Sequence, residues 1–178
     1  MHKIVQNLIN IENQLKSSLG DVDQSSLPKI IAVSKTFKME KIFPLVEHGH
    51  LDFGENKVQE AIDKWTDIKA SNPKIQLHMI GKLQTNKVKF AVKLFDYIHS
   101  VDSEKLANKI ADEQIKIKRN IKIFIQVNIG DETQKSGINI NEINNLVGFC
   151  KKLNLNVVGF MCIPPADIDP SSYFEEMD

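Results

Sequence analysis

Lys35 directly follows the apolar run Lys29-Ile30-Ile31-Ala32-Val33-Ser34. An ammonium placed at the end of a strand buried on both faces is drawn away from water, which lowers its pKa toward the neutral, nucleophilic amine. Such an amine can form an imine with a carbonyl compound. The competing reading is a strand-end lysine that reaches into solvent, and one lysine does not decide between them. Other reactive residue types form weaker sets. His48 and His50 lie two apart, on one side of an extended segment, but no cysteine or acidic partner completes a metal site, so no metal is expected. Cys162 has no paired histidine in its sequence context and reads as a small buried hydrophobe. Lys82, Lys87, Lys89 and Lys93 could gather anions, although lysines on the outer face of an amphipathic helix are usually just solvated.

The elements that would position these groups follow from apolar spacing. Ile4, Leu8, Ile11, Leu15 and Leu19 recur every three or four residues and predict a helix that ends at Gly20. The run from Lys29 to Ser34 is short and rich in branched residues, as a fully buried strand would be. A helix with Met39, Ile42, Phe43 and Val46 leads to the strand Leu51-Asp52-Phe53-Gly54. A second helix, with Val58, Ile62, Trp65 and Ile68, leads to Ile75 through Ile80. Two further units end in Phe95 to Ser100 and Ile121 to Asn128. A helix with Ile143, Leu146, Val147 and Cys150 then precedes a strand from Asn156 through Met161.

Strands that alternate with helices imply parallel pairing and right-handed crossovers. A doubly wound nucleotide fold would carry a glycine-rich turn after its first strand, and the turn here reads Ser34-Lys35-Thr36-Phe37. The expected fold is therefore a TIM-type (β/α) barrel, incomplete, with six of eight strands present, in a single domain over residues 1–178. Ser171 or Ser172 is expected to cap a last helix at the tail. In such barrels the site lies at the carboxyl ends of the strands, which nominates Ser34-Lys35-Thr36, Gly54-Glu55-Asn56, Ile80-Gly81-Lys82, Ser100-Val101-Asp102, Asn128 and Met161-Cys162-Ile163-Pro164-Pro165.

Composition excludes several partners. The 178 residues carry 23 basic and 23 acidic side chains, with Arg119 the only arginine, so no excess positive field attracts nucleic acid or acidic membranes. Cys150 and Cys162 stand singly, which fits a reducing cytoplasm. The amino-terminal segment has neither a signal-peptide pattern nor a membrane span.

Six segments then occur in order: Ala32-Val33-Ser34-Lys35-Thr36; Asp52-Phe53-Gly54-Glu55-Asn56 with Gln59-Glu60; His78 through Lys87; His99-Ser100-Val101-Asp102-Ser103; Gln126-Val127-Asn128 with Lys135-Ser136-Gly137; and Gly159 through Pro165. Together they resemble the pyridoxal 5'-phosphate (PLP) homeostasis family across essentially the whole chain. The resemblance implies a cytoplasmic, PLP-binding barrel of the alanine racemase type, associated with vitamin B6 homeostasis and without an established turnover reaction. It implies that Lys35 would hold PLP as a Schiff base and that Asn56 would contact the cofactor, while Ile80 and Met161 would line the ring pocket. Asn56 can equally cap the helix that starts there, and Ile80 and Met161 can be ordinary core residues. Ser100 and Asn128 can bind neighbouring loops. Family members continue into two further strands, with a Ser-Met-Gly-Met-Ser type loop and an Arg-x-Gly-Thr type segment that supply most of the phosphate cradle. Those segments are not in this sequence, so the first and sixth strands are expected to have open edges that invite oligomerisation or aggregation, whereas the full-length family is expected to be monomeric. PLP-dependent apoenzymes are the expected partners. The alternatives are a PLP-dependent racemase or lyase, which needs a proton donor opposite the lysine, and a truncated fragment that binds no cofactor.

Overall fold

Strand and helix alternate as the apolar spacing predicts. The computed structural model describes residues 2–20, 27–130 and 136–177. Its elements are α1 (Lys3–Leu19), β1 (Ala32–Val33), α2 (Met39–Glu47), β2 (Asp52–Glu55), α3 (Val58–Ser71), β3 (Gln76–Met79), α4 (Val88–Leu94), β4 (Tyr97–Val101), α5 (Glu104–Lys116), β5 (Lys122–Gln126), α6 (Ile143–Lys152), β6 (Asn156–Met161) and α7 (Ser171–Met177). Most of the polar loop before Pro28, and Lys135, lie outside the described residues.

All six strands pair in parallel in the order in which they occur in the chain. Right-handed crossovers between strands that never reverse order all fall on one face, so the sheet curls toward a barrel instead of being covered on both sides by helices. It does not close. Among the described residues β1 pairs only with β2 and β6 only with β5.

Each helix buries the stripe its sequence supplies. On α5, Leu106, Ala107, Ile110 and Ala111 are buried, and the Ser103 hydroxyl accepts from the Leu106 N–H at the start of the helix. Ahead of α6, the Asn139 side chain accepts from the Asn141 N–H while Glu142 accepts from the Asn139 N–H, a reciprocal cap. On α7 the start differs from expectation: Asp169, not Ser171 or Ser172, provides the capping carboxylate, accepting from both the N–H and the hydroxyl of Ser171. In α1 only Val5 and Leu8 are buried, whereas Ile11 and Leu19 are exposed, because the contact with α2 covers only part of the stripe.

Asp96, at the start of β4, gathers three elements. It accepts from the Leu77 N–H, from Lys69 of α3 and from Arg119, which also donates to the Val92 and Lys93 carbonyls that end α4. The single arginine is thus spent on structure.

The first strand corrects the sequence reading. Instead of a strand from Lys29 to Ser34 buried on both faces, β1 has two residues, lies at the sheet edge and leaves Val33 46% exposed. An edge strand has a neighbour on one side only, so half of its apolar surface stays wet.

On the inner face near the amino-terminal ends of the strands lies a polar and aromatic layer. His78 Nε2 is 3.1 Å from Asp52 Oδ1, and His78 Nδ1 is 2.9 Å from His99 Nε2. A carboxylate can only accept, so His78 donates from Nε2 and, when neutral, accepts at Nδ1 from the His99 Nε2–H, which satisfies both nitrogens of the His78 ring. His78 stacks on Tyr97 and His99 on Phe124, with both pairs of ring centroids 4.3 Å apart, and Lys122 donates to the Tyr97 hydroxyl. Burial and the neighbouring His78 push His99 down to about 4, and burial also lowers His78 against the pull of Asp52.

Between 6.5 and about 4 the unfolded chain therefore takes up a proton that folded His99 refuses. Stability should be complete above that window, fall as pH drops through it and level off below, by roughly 3 kcal/mol for this group. Thermal melts across the window measure it, and His99→Gln, which cannot titrate but can still donate to His78, should flatten the slope. An unchanged slope in that variant would assign the effect elsewhere.

Candidate functional site

At the tips of β1 and β2 the chain builds a buried ionic network. Gly54 and Glu55 are adjacent on β2, so Glu55 faces the helices while Gly54 faces inward. Glu55 has no exposed surface. Its Oε1 accepts from the Ser34 hydroxyl at 2.8 Å and from the Trp65 indole N–H at 2.9 Å, and it lies 2.6 Å from Lys64 Nζ. The same ammonium donates to the Ser34 carbonyl at 2.8 Å and to Glu60 at 2.9 Å. Glu60 in turn accepts from the Thr36 N–H, and the hydrogen bond from Lys64 holds its carboxyl below the ordinary range.

Lys35 sits between Ser34 and Thr36 at this tip and is exposed. The dry environment that a strand buried on both faces would have provided is absent, because β1 is an edge. Ser34 points to the helix side, where its hydroxyl meets Glu55, and Lys35 follows in the turn just past β1, next to Thr36 at φ +64°.

Asn56 and Ile80 are brought together by glycines. A Cβ on Gly54 would stand 3.1 Å from both Ile31 Cγ2 and Ile80 Cδ1, and one on Gly81 would stand 2.4 Å from the Asn56 carbonyl oxygen. The Asn56 Oδ1 is buried without a hydrogen-bond partner. Beyond Gly81 opens a cavity of about 220 Å3 lined by Ile80, Lys82, Gln126, Asn128, Ser136 and Ile163, among others. Gly137, at φ +123°, lets the segment carrying Ser136 lie against the end of β5, where a Cβ would meet the Asn128 N at 2.6 Å. Met161 does not join this group. Its carbonyl accepts from the Val127 N–H, and it lines a separate cavity with Cys162 and Phe174.

The remaining nominated residues have plain roles. Ser100 is buried with its hydroxyl unpaired, and the Asn128 N–H donates to the Ile138 carbonyl. His50 Nε2 donates to the Asp52 carbonyl and His48 ends α2. Among the described residues no group of three or more His, Cys, Asp or Glu could hold a metal. Cys150 is buried, with its thiol pushed up to about 11 by burial; Cys162 is only half-buried, not the enclosed residue expected, and its thiol is also raised. Lys89 and Lys93 are exposed on α4. Sequence reasoning missed Glu55, Lys64, Trp65 and Glu60 as a set. The one available signal was an acid directly after Gly54 at the end of an otherwise buried strand.

Comparison with known proteins agrees with this geometry. Residues 8–177 match the family described as alanine racemase, N-terminal domain. The chain is 35% identical over 167 residues to the pyridoxal phosphate homeostasis protein of Pasteurella multocida, covering 92% of this chain and 72% of that protein. Among solved structures, PipY of Synechococcus elongatus superposes with a TM-score of 0.76 without PLP and 0.74 with PLP bound, at 32% and 31% identity. Both matches cover 92% of this chain and 75% of PipY. An alanine racemase of Clostridium difficile, 15% identical with a TM-score of 0.70, covers 96% of this chain and 43% of that one and shares the fold.

The glycine contacts predict opposite effects of two like substitutions. Gly81→Ala forces the Asn56 backbone to move and should cost about 1–3 kcal/mol. Gly148→Ala, on α6 with nothing within 4 Å of the added methyl, should gain about 0.5–1 kcal/mol. Denaturant midpoints of the two variants, measured side by side, would contradict this reading if Gly81→Ala were neutral.

Proposed function

Because the chain belongs to the pyridoxal phosphate homeostasis proteins of the alanine racemase N-terminal-domain family, we propose that it binds PLP at the carboxyl tips of its strands, with Lys35 as the residue that holds it. The observation that carries the reading is what stands at those tips: the exposed Lys35 just past β1, an Asn56 side-chain oxygen buried without a partner just past β2, and beyond β3 a cavity with both apolar and polar walls. PLP has an aldehyde, a flat ring and a phosphate, and supplies electrophilic carbonyl chemistry when bound.

The residues present fit parts of that molecule. Lys35 supplies the amine for the aldehyde; carbon and nitrogen join as the carbonyl oxygen leaves as water. Asn56 offers an acceptor with no competing protein donor, which suits a ring or hydroxyl contact. Ile80, held inward by Gly54, offers an apolar wall for a ring. Lys82 and Ser136, at the mouth of the same cavity, can donate to an anionic group. Met161 lies on the far edge strand and would contribute only from across the open side of the sheet.

A carrier role in PLP homeostasis, with PLP-dependent apoenzymes as recipients in the cytoplasm, is the form this reading takes. No helix among the described residues is long and apolar enough to cross a membrane. No observation favours a racemase or lyase. Such an enzyme needs a proton donor facing the lysine, whereas the Tyr97 hydroxyl is bonded by Lys122 at the opposite end of the strands and Tyr173 lies on α7.

Mixing the purified chain with PLP should give a visible absorbance change that borohydride makes permanent. Peptide mass analysis should place the reduced adduct on Lys35, and Lys35→Ala should lose it. An adduct scattered over surface lysines, or unaltered capture by Lys35→Ala, would overturn the assignment.

A further inference from the structure

The Lys64 side chain connects a helix to the tip that carries Lys35, and it does so at two backbone positions. Its ammonium, 12% exposed, donates to the Ser34 carbonyl at 2.8 Å and stands 3.4 Å from the Phe37 carbonyl, so it brackets the turn that contains Lys35. Two carboxylates fix the ammonium itself: fully buried Glu55 at 2.6 Å and Glu60 at 2.9 Å. Glu60 completes the circuit by accepting from the Thr36 N–H at 2.6 Å.

Thr36 shows what this circuit holds in place. Its φ is +64°, a left-handed conformation that is strained for a β-branched residue and persists only where the surroundings enforce it. The Ser34 N–H donates to the Gly54 carbonyl and the Phe37 N–H to the Ser34 carbonyl, so one end of the turn is pinned by the neighbouring strand and closed upon itself. The middle is held from α3 through Lys64 and Glu60. β1 contributes only two paired residues at a sheet edge and cannot impose this geometry alone.

We infer that Lys64, locked by Glu55, is a positioning residue that holds the Ser34–Phe37 turn in the strained form that presents Lys35 to its aldehyde ligand. The inference rests on the PLP reading for the identity of that ligand. Lys64 does not touch the ligand; it acts through the backbone on either side of Lys35. A merely structural ion pair would stabilise the fold without any particular effect on this turn, and the same helix provides such a pair for comparison. Lys69 of α3 bonds Asp96 at the other end of the strands and is similarly enclosed, at 17% exposed.

Lys64→Met and Glu55→Gln are compared with Lys69→Met and the unaltered chain, with circular dichroism and melting curves to establish that each is folded. Two readouts are taken. Amide hydrogen exchange of residues 34–37 needs no ligand; it should accelerate in Lys64→Met and Glu55→Gln and stay unchanged in Lys69→Met. The rate of borohydride-trapped PLP adduct on Lys35 should fall by roughly ten- to a hundredfold in the first two variants, as expected when a reacting amine loses its orientation, and stay near the original rate in Lys69→Met. Unchanged exchange at the turn in Lys64→Met overturns the inference whatever PLP does. So does accelerated exchange with an unaltered trapping rate, or an equal loss of trapping in Lys69→Met. If the unaltered chain traps no PLP on Lys35, the functional reading fails instead, and the exchange data still report whether Lys64 holds the turn.

Discussion

A carboxylate with no exposed surface must find a cation, and at the tip of β2 that requirement brings a lysine of α3 across to the strand ends. Leaving either charge alone in this interior would cost several kcal/mol, so the pair, once formed, dictates where the start of α3 and the end of β1 can lie. Trp65 reinforces it by donating to the same oxygen while its ring fills the space beneath Phe53, with centroids 4.7 Å apart. Lys64 and Trp65, adjacent on one helix, both serve the same Glu55 oxygen, Oε1. The short, poorly paired first strand therefore takes its shape less from the sheet than from the helix behind it.

The inner face of the sheet divides polar work between its two ends. Toward the amino-terminal ends, Asp52 is tied to His78, His78 to His99 and Tyr97 to Lys122, a chain of polar groups bonded to one another. Toward the carboxyl ends, Gly81 and Gly137 let backbones approach closely and Gly54 leaves room for the Ile31 and Ile80 side chains, while Asn56 keeps an acceptor in reserve. The asymmetry matches the general rule that parallel α/β architectures bind at their carboxyl ends. Strand order explains why both ends face one space: with every crossover on the same face, the other face is left to close on itself.

Family membership and physical reading support each other at different scales. The resemblance covers nearly the whole chain, and PipY, similar over 92% of it, carries PLP in one of its structures. The arrangement of Lys35, Asn56 and Ile80 at three neighbouring tips is what makes that likeness chemically intelligible. Met161, nominated on the same resemblance, stands on the opposite edge because β1 and β6 do not meet.

Much of the architecture was legible in the chain. Apolar spacing located the six strands and the helices α1, α2, α3 and α6, and the absence of a glycine-rich turn after the first strand separated a barrel from a nucleotide fold. Those signals are local, since each depends on residues within one or two turns of one another. The burial of β1 was misjudged for a corresponding reason: an apolar run looks the same whether it lies mid-sheet or at an edge, and only the number of neighbouring strands decides. Likewise Glu55, Lys64 and Ser34 lie 9, 21 and 30 residues apart in pairs, and no periodicity links them. Composition and spacing by themselves determined the elements and their order; tertiary structure alone decided which charges met, because a buried ion pair is selected by distance in space and by the loss of water around it, neither of which is written along the chain.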